Sequence, residues 1–284
     1  FDTKLYTGNG STQTISGLGF SPDLVWIKSR SANSVNHMLF DQIRGAEYYL
    51  NSNTTGAEGR AAGYCLTAFT STGFTVVDDA AGSYAVNGTG VYGPSYTAWC
   101  WDGGTSTVTN TQGSITSTVR ANTSAGFSIV TYTGNGTSGA TVGHGLGVTP
   151  SMIIIKSRSL SVEGWNTYHA SLTAGNALQL NSTQAQFTGS PQMYPTAPGS
   201  SVFTLGTNSG TNSNGATYVA YCFSPVSGYS SFGSVISNGT SDNAFVYTGF
   251  RPRLIIYKSS SVAGGWAIID SSRASINAVG PYFC

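Results

Sequence analysis

The sequence predicts an all-β protein made of tandem antiparallel β-sandwich modules of jelly-roll or lectin-like type. Three observations carry this: a glycine-rich and charge-poor composition, short apolar runs bounded by turn residues, and one pattern that recurs three times. Helical surfaces are normally filled by Glu, Lys, Arg and Ala, which lose little side-chain freedom in a helix. Here 284 residues hold only 11 acids and 12 bases against 37 glycines and 12% aromatics. Helix is therefore expected for a turn or two at most, around Asp41 to Arg44. Disordered chains pair low hydrophobicity with high net charge; this chain is 39% hydrophobic with a net charge of +1, and should fold.

The same composition excludes several roles. A net charge of +1 gives no electrostatic footprint for nucleic acid, whose binders concentrate Lys and Arg to displace counterions. The longest apolar runs, such as Met152 to Ile155, fall far short of the roughly 18 residues of a membrane helix, so no membrane insertion is expected. The opening FDTKLY has no Met and no signal-peptide core, and reads as part of a longer polypeptide or a processed product. Cys65, Cys100, Cys222 and Cys284 lack metal-ligand spacing and are too few for a disulfide scaffold. Buried thiols are expected, with no cofactor and no metal.

Self-comparison is the most informative operation. Pro22-Asp-Leu-Val-Trp-Ile-Lys28-Ser-Arg30, Pro150-Ser-Met-Ile-Ile-Ile-Lys156-Ser-Arg158 and Pro252-Arg-Leu-Ile-Ile-Tyr-Lys258-Ser-Ser260 superimpose without a gap. Upstream, Tyr6-Thr-Gly-Asn-Gly10 matches Tyr132-Thr-Gly-Asn-Gly136 and, more weakly, Val235 to Gly239. Downstream, His37 and Asp41, Trp165 and His169, and Trp266 and Asp270 hold equivalent places, and Leu50-Asn-Ser52 is paired with Leu180-Asn-Ser182. Tyr96-Thr-Ala-Trp-Cys-Trp101 aligns with Tyr218-Val-Ala-Tyr-Cys-Phe223, and no such block follows the third start. The third copy is expected to lack its second half, with the chain continuing past Cys284. Such a period is domain-sized, far beyond solenoid repeats. The expected modules are residues 1–122, 123–226 and a truncated 227–284, each with its own core, strung like beads.

Within a module, Leu24 to Ile27 and its equivalents read as a buried strand opened by Pro, where no ladder donor is lost. Asn-Gly is a strong hairpin signal, so Leu5 to Tyr6 and Thr12 to Ile15 are expected to form a hairpin, with Ile129 to Tyr132 opening its counterpart. The Tyr96 block alternates: Tyr96, Ala98 and Cys100 on one face, Thr97, Trp99 and Trp101 on the other. The small residue and thiol suggest tight packing between sheets, and the aromatic face is either a second core or a stacking platform.

Catalytic signals are weak. His37, His144 and His169 do not share one repeat position, and of the acids only Asp41 and Asp270 recur, so no general acid and base pair and no catalytic residue is assigned. Asp78-Asp79 reads as a polar loop rather than a calcium site. Trp99, Trp101, Tyr221, Phe223, Trp165 and Trp266 are candidates for stacking on sugar rings, with core packing the stronger expectation for most. Lys28, Arg30, Lys156 and Arg158 are candidates for gripping an acidic sugar or phosphate, weighed against simple strand exits. The Asn-x-Ser/Thr triplets at Asn53, Asn87, Asn122 and Asn181 are of the frequency chance supplies.

The blocks Tyr-Thr-Gly-Asn-Gly, Gly17 to Arg30, Phe40-Asp-Gln-Ile-Arg-Gly45, Leu50 to Thr54, Gly73-Phe-Thr-Val76 and Ala98-Trp-Cys-Trp101 resemble a repeated domain of tail-fibre and other virion structural proteins of bacteriophages, especially cyanophages. That resemblance covers essentially the whole chain. It implies a non-enzymatic virion appendage, a homotrimer contacting other virion proteins and reaching host-surface glycan or protein. The rival expectations are a polysaccharide-degrading tail protein and a bacterial surface adhesin at the cell surface.

Overall fold

The computed structural model describes residues 1–32, 34–78, 84–90, 94–172, 175–188, 193–239 and 245–273. Copy one contains β1 (Asp2–Thr7), β2 (Thr12–Ile15), β3 (Leu24–Ser29), β4 (Met38–Asp41), β5 (Tyr48–Asn51), β6 (Gly59–Arg60), β7 (Cys65–Thr70), β8 (Gly73–Val77) and β9 (Ser95–Trp101). They form a large sheet in the order β1-β9-β3-β4-β5-β6, faced by a small sheet β2-β8-β7. All named strand pairs are antiparallel.

Copy two repeats the plan with β10 (Thr107–Asn110), β11 (Ser117–Asn122), β12 (Phe127–Thr133), β13 (Ala140–Gly143), β14 (Met152–Ser157), β15 (Asn166–His169), β16 (Asn176–Gln179), β17 (Phe187–Thr188), β18 (Val202–Leu205), the one-turn helix α1 (Ser209–Asn212) and β19 (Thr217–Phe223). Its large sheet runs β10-β11-β12-β19-β14-β15-β16-β17, with β13-β18 opposite. Copy three contributes β20 (Leu254–Lys258) and β21 (Trp266–Asp270), paired with each other.

Two sandwich cores follow from strand alternation. Val25, Ile27, Phe40, Tyr96, Ala98 and Cys100 pack between the sheets of copy one. Ile153, Ile155, Phe203, Tyr218, Ala220 and Cys222 do so in copy two. Cys65, Cys100 and Cys222 are buried, and burial pushes the thiols of Cys100 and Cys222 up, the latter to about 12.

A third core lies between the copies. The outward residues of the large sheets, among them Trp26, Leu39, Trp99 and Trp101 of copy one, Ile129, Ile154, Trp165 and Tyr221 of copy two and Ile268 of copy three, form one buried cluster. The contacts repeat from copy to copy. Lys156 donates to the Thr55 carbonyl at 3.2 Å and Lys258 to that of Thr183 at 3.3 Å. The Trp165 indole donates to the Asn51 carbonyl at 2.8 Å and Trp266 to that of Gln179 at 2.9 Å. The ring closes: Tyr221 of copy two donates to Asp41 of copy one at 2.8 Å, and Trp99 of copy one donates to Asp270 of copy three at 3.0 Å. The copies are thus not beads on a string but three sectors around one apolar centre.

Several expectations are revised. The Asn-Gly segments are not hairpin turns: β1 pairs with β9 and β2 with β8, so the chain crosses from one sheet to the other. The bend is held by a buried asparagine, since Asn87 accepts from Asn9 and Gly10, as Asn212 accepts from Asn135 and Gly136. Asn87 is fully buried and so is no glycosylation acceptor. Thr123 lies in the turn joining β11 to β12, placing residues 107–122 in the sheet of copy two; these strands have no counterpart in copy one, so repeat matching could not place them. By register, Leu50 corresponds to Leu178 rather than Leu180, because Leu39 faces Leu50 as Thr167 faces Leu178. Asp41 to Arg44 form a turn capped by the Asp41 carboxylate, not a helix.

A shared core predicts joint unfolding. Trp99→Ala should cost about 3–5 kcal/mol, as large-to-small changes of buried aromatics do, and calorimetry should show copies one and two melting in a single transition; two transitions, with copy two unmoved, would contradict the shared core.

Candidate functional site

The residues singled out in the sequence converge on the seams between copies. Trp99 and Trp165 are fully buried, Tyr221 and Trp101 nearly so, and Phe223 and Trp266 half-buried. Trp165 stacks on Tyr221, and Trp101 meets Phe1, Phe127 and Phe223 edge-on or tilted. These rings pack on one another and do not form an exposed platform for sugars. The second-core reading of the aromatic face therefore holds, because the large sheets of neighbouring copies cover each other's outer faces.

The basic residues are likewise built in. Lys28 is buried and donates to the Ala32 and Val35 carbonyls; Lys156 is fully buried and donates to the Ser157 and Thr55 carbonyls. Burial lowers both ammonium groups, Lys156 to about 8. A buried ammonium needs hydrogen-bond partners; loop carbonyls of its own copy supply them to Lys28, and the Ser157 carbonyl together with the Thr55 carbonyl of copy one supplies them to Lys156. Arg158 pairs with Glu58 of copy one through two bonds of 2.8 and 3.0 Å. Of the four cations, only Arg30 is exposed.

A polar chain through the seam of copies one and two was only partly visible in the sequence. Tyr221, Asp41, Arg44, Glu58 and Arg158 are linked in succession. Burial works against the Arg44 charge, but Asp41, Tyr221 and Glu58 together more than offset it and hold the guanidinium firmly protonated. Copy three repeats the capped turn, with Arg273 on Asp270 and on the Ile268 carbonyl as Arg44 is on Asp41 and the Leu39 carbonyl. The recurrence of Asp41 and Asp270 was the legible signal; Arg44 and Arg273, three residues on, complete it. A second staple, Asp23 to Arg120 at 2.6 Å, joins the residue just before β3 of copy one to β11.

The histidines serve locally. His144 bonds the Gly199 carbonyl and the Leu146 amide, and His169 accepts from the Ser171 amide. His37 accepts from the Trp26 indole at 3.1 Å and stacks on Trp99. Among the described residues, no group of three or more His, Cys, Asp or Glu side chains is placed to hold a metal ion, and no helix is long and apolar enough to cross a membrane. Asp79, Asp242 and Cys284 lie outside the described residues.

An open polar surface lies on copy two. Thr116, Thr118, Thr131, Thr133, Thr217 and Arg158 line a hollow of about 180 Å³ on the large sheet of copy two. Thr118 faces Thr131, and Thr133 faces Thr217, across adjacent strands. Clustered hydroxyls beside a guanidinium can donate to and accept from vicinal hydroxyls or a carboxylate. The sequence offered a signal, the alternating threonines of 116–118 and 131–133, that repeat matching passed over because copy one has no counterpart of 116–118 and carries Leu5 at the place of Thr131.

A family model now matches residues 1–282. The chain belongs to the DUF7483 family. Its description is a domain of unknown function, and in this DUF7483 chain the match runs across all three copies. No curated protein and no solved structure matches it.

His37 gives the DUF7483 chain an acid-sensitive seam. Burial first, then the nearby Lys28 and Arg273 charges, lower its imidazole to about 3. The unfolded chain protonates near the ordinary value of about 6.5, so the unfolded state binds more protons between pH 6.5 and 3, and stability falls as pH drops through that window. His37→Phe should flatten the dependence of the melting temperature on pH between 6.5 and 4; an unchanged slope would remove His37 as its source.

Proposed function

We propose that this chain is a non-enzymatic structural module of an extracellular appendage, a virion tail fibre or related fibre, able to contact host-surface glycans. The observation that carries this reading is the shared aromatic core. Six aromatic side chains and two basic ones, Lys156 and Arg158, that could have faced a ligand are spent on holding the copies together. A protein so organised resists local opening, because each seam side chain is held by two copies. The sequence resemblance to phage appendage domains supplies the virion assignment, and virion proteins as partners.

Glycan contact belongs on the threonine-lined hollow rather than on the buried tryptophans. Hydroxyl groups and Arg158 there suit an acidic or hydroxyl-rich sugar, weakly held and strengthened by multiplicity. The homotrimer is part of the same proposal, and would join three chains that each already contain a three-sector ring.

Immunogold electron microscopy of the particle or cell that carries this protein tests the proposal. Label along a fibre projecting from a phage tail or head is the expected result. Label on a bacterial surface polymer would replace the virion assignment with the adhesin reading.

A further inference from the structure

The threonine hollow on copy two is part of an ordered array. In the large sheet Thr109 of β10 faces Thr118 of β11, Thr118 faces Thr131 of β12, and Thr133 faces Thr217 of β19. Thr116 precedes Ser117, which faces Tyr132, so the same register sets Thr116 beside Thr133. The Arg158 amide bonds the Thr217 carbonyl, which brings Arg158 to the end of that row. Two rows of side chains therefore cross the strands, Thr109-Thr118-Thr131 and Thr116-Thr133-Thr217-Arg158. Alternation puts them on the same side as Ile129 and Val219, which enter the shared core; the rows are where that face emerges into solvent. Thr109, Thr116 and Thr133 are exposed, and Thr118, Thr131 and Thr217 half-buried.

Spacing and charge together select a ligand. Neighbouring strands lie about 4.8 Å apart, so the two rows span four strands over about 14 Å, close to the length of about three linked pyranose rings. Threonine is restricted at χ1, so its hydroxyl and methyl are held in place before contact and little side-chain freedom is lost on binding. Each hydroxyl both donates and accepts, as each sugar hydroxyl does. The sheet twist of about 20–25° per strand turns the rows, which suits one soluble chain rather than the flat face of a crystalline polymer. The bordering charges are already matched. Arg158 gives two bonds to Glu58, which also accepts from Arg44, itself paired with Asp41. On the other side Arg120 pairs with Asp23 and donates to Thr107 at 3.4 Å. A sugar carboxylate would have to displace Glu58 or meet its charge. In copy one the corresponding places hold Leu5 for Thr131 and Ser95 for Thr217, so of these two copies only copy two carries the array.

We propose that these rows bind a linear, electrically neutral oligosaccharide of about three to four rings, laid across the strands with about one ring per strand. The proposal rests on the glycan contact put forward above and narrows it. Threonine hydroxyls meet sugar hydroxyls, threonine methyls meet the C–H edges of the rings, and a sugar carboxylate has no part. Arg158 contributes through Nη1, since its Nε and Nη2 are committed to Glu58, and donates there to a sugar oxygen.

Methyl NMR of the threonine-labelled protein tests this, with linear tetrasaccharides of glucose, mannose and N-acetylglucosamine as neutral probes and that of galacturonic acid as the charged one. At least one neutral probe should shift the methyls of Thr118, Thr131 and Thr217, saturate at one per chain and bind several-fold more tightly than its disaccharide. Thr118→Val and Thr131→Val, which keep the shape and remove one hydroxyl, should each weaken that binding about 2- to 10-fold, the worth of one hydrogen bond. Thr14→Val, on β2 of copy one, should leave it unchanged. Binding that both Thr118→Val and Thr131→Val leave unweakened would overturn the rows as the site. Stronger shifts with the galacturonate would overturn the neutral ligand while keeping a glycan site at the hollow. No shift of these methyls with any probe would overturn both the proposal and the hollow as the place of glycan contact.

Discussion

The outer faces of the large sheets set the problem that the rest of this structure solves. A two-layer sandwich buries one face of each sheet and commonly leaves the other to water. Here the outer face of copy one carries Trp26, Trp99 and Trp101, and that of copy two Trp165 and Tyr221, all in one cluster with Ile268 of copy three. Aromatics of this size bury 150–250 Å² each when covered, and only the outer face of another sheet is broad enough to cover several at once. Three copies turned inward around a common centre meet that requirement within a single chain.

Such a centre needs orientation as well as apolar area. Apolar contact is non-directional, and sheets could slide against one another. Buried polar pairs fix the register: Lys156 on the Thr55 carbonyl, Trp165 on that of Asn51, and Tyr221 on the Asp41–Arg44 pair. Buried ion pairs contribute little net stability. Removing one partner, however, leaves an uncompensated charge, so a slipped seam is heavily penalised. The repetition of the same bonds at Lys258, Trp266 and Asp270–Arg273 shows one interface used in turn.

The parts legible in the sequence were those with a local period. Alternation of Tyr96, Ala98 and Cys100 against Trp99 and Trp101 gave both faces of β9, and the Pro-to-Lys block gave β3, β14 and β20. The Asn-Gly bend misled because hairpin and sheet-crossing arch use the same positive-φ glycine; Asn87 and Asn212, far away in sequence, decide between them. Lys28 and Lys156 read as strand exits or anion grips; Lys28 instead bonds loop carbonyls of its own copy, and the acceptor of Lys156 at Thr55 belongs to a neighbouring copy that periodicity does not contain. The strands of 107–122 and the threonine hollow they help form were missed because self-comparison sees only what is repeated.

The arrangement around one centre is most directly tested by small-angle scattering from the monodisperse chain in solution. Three sectors sharing a core should give a radius of gyration of about 19 Å, the value for a compact body of this length. A value of about 25–30 Å, that of separate domains of roughly 100 residues in a row, would contradict the shared core and return the copies to independent beads.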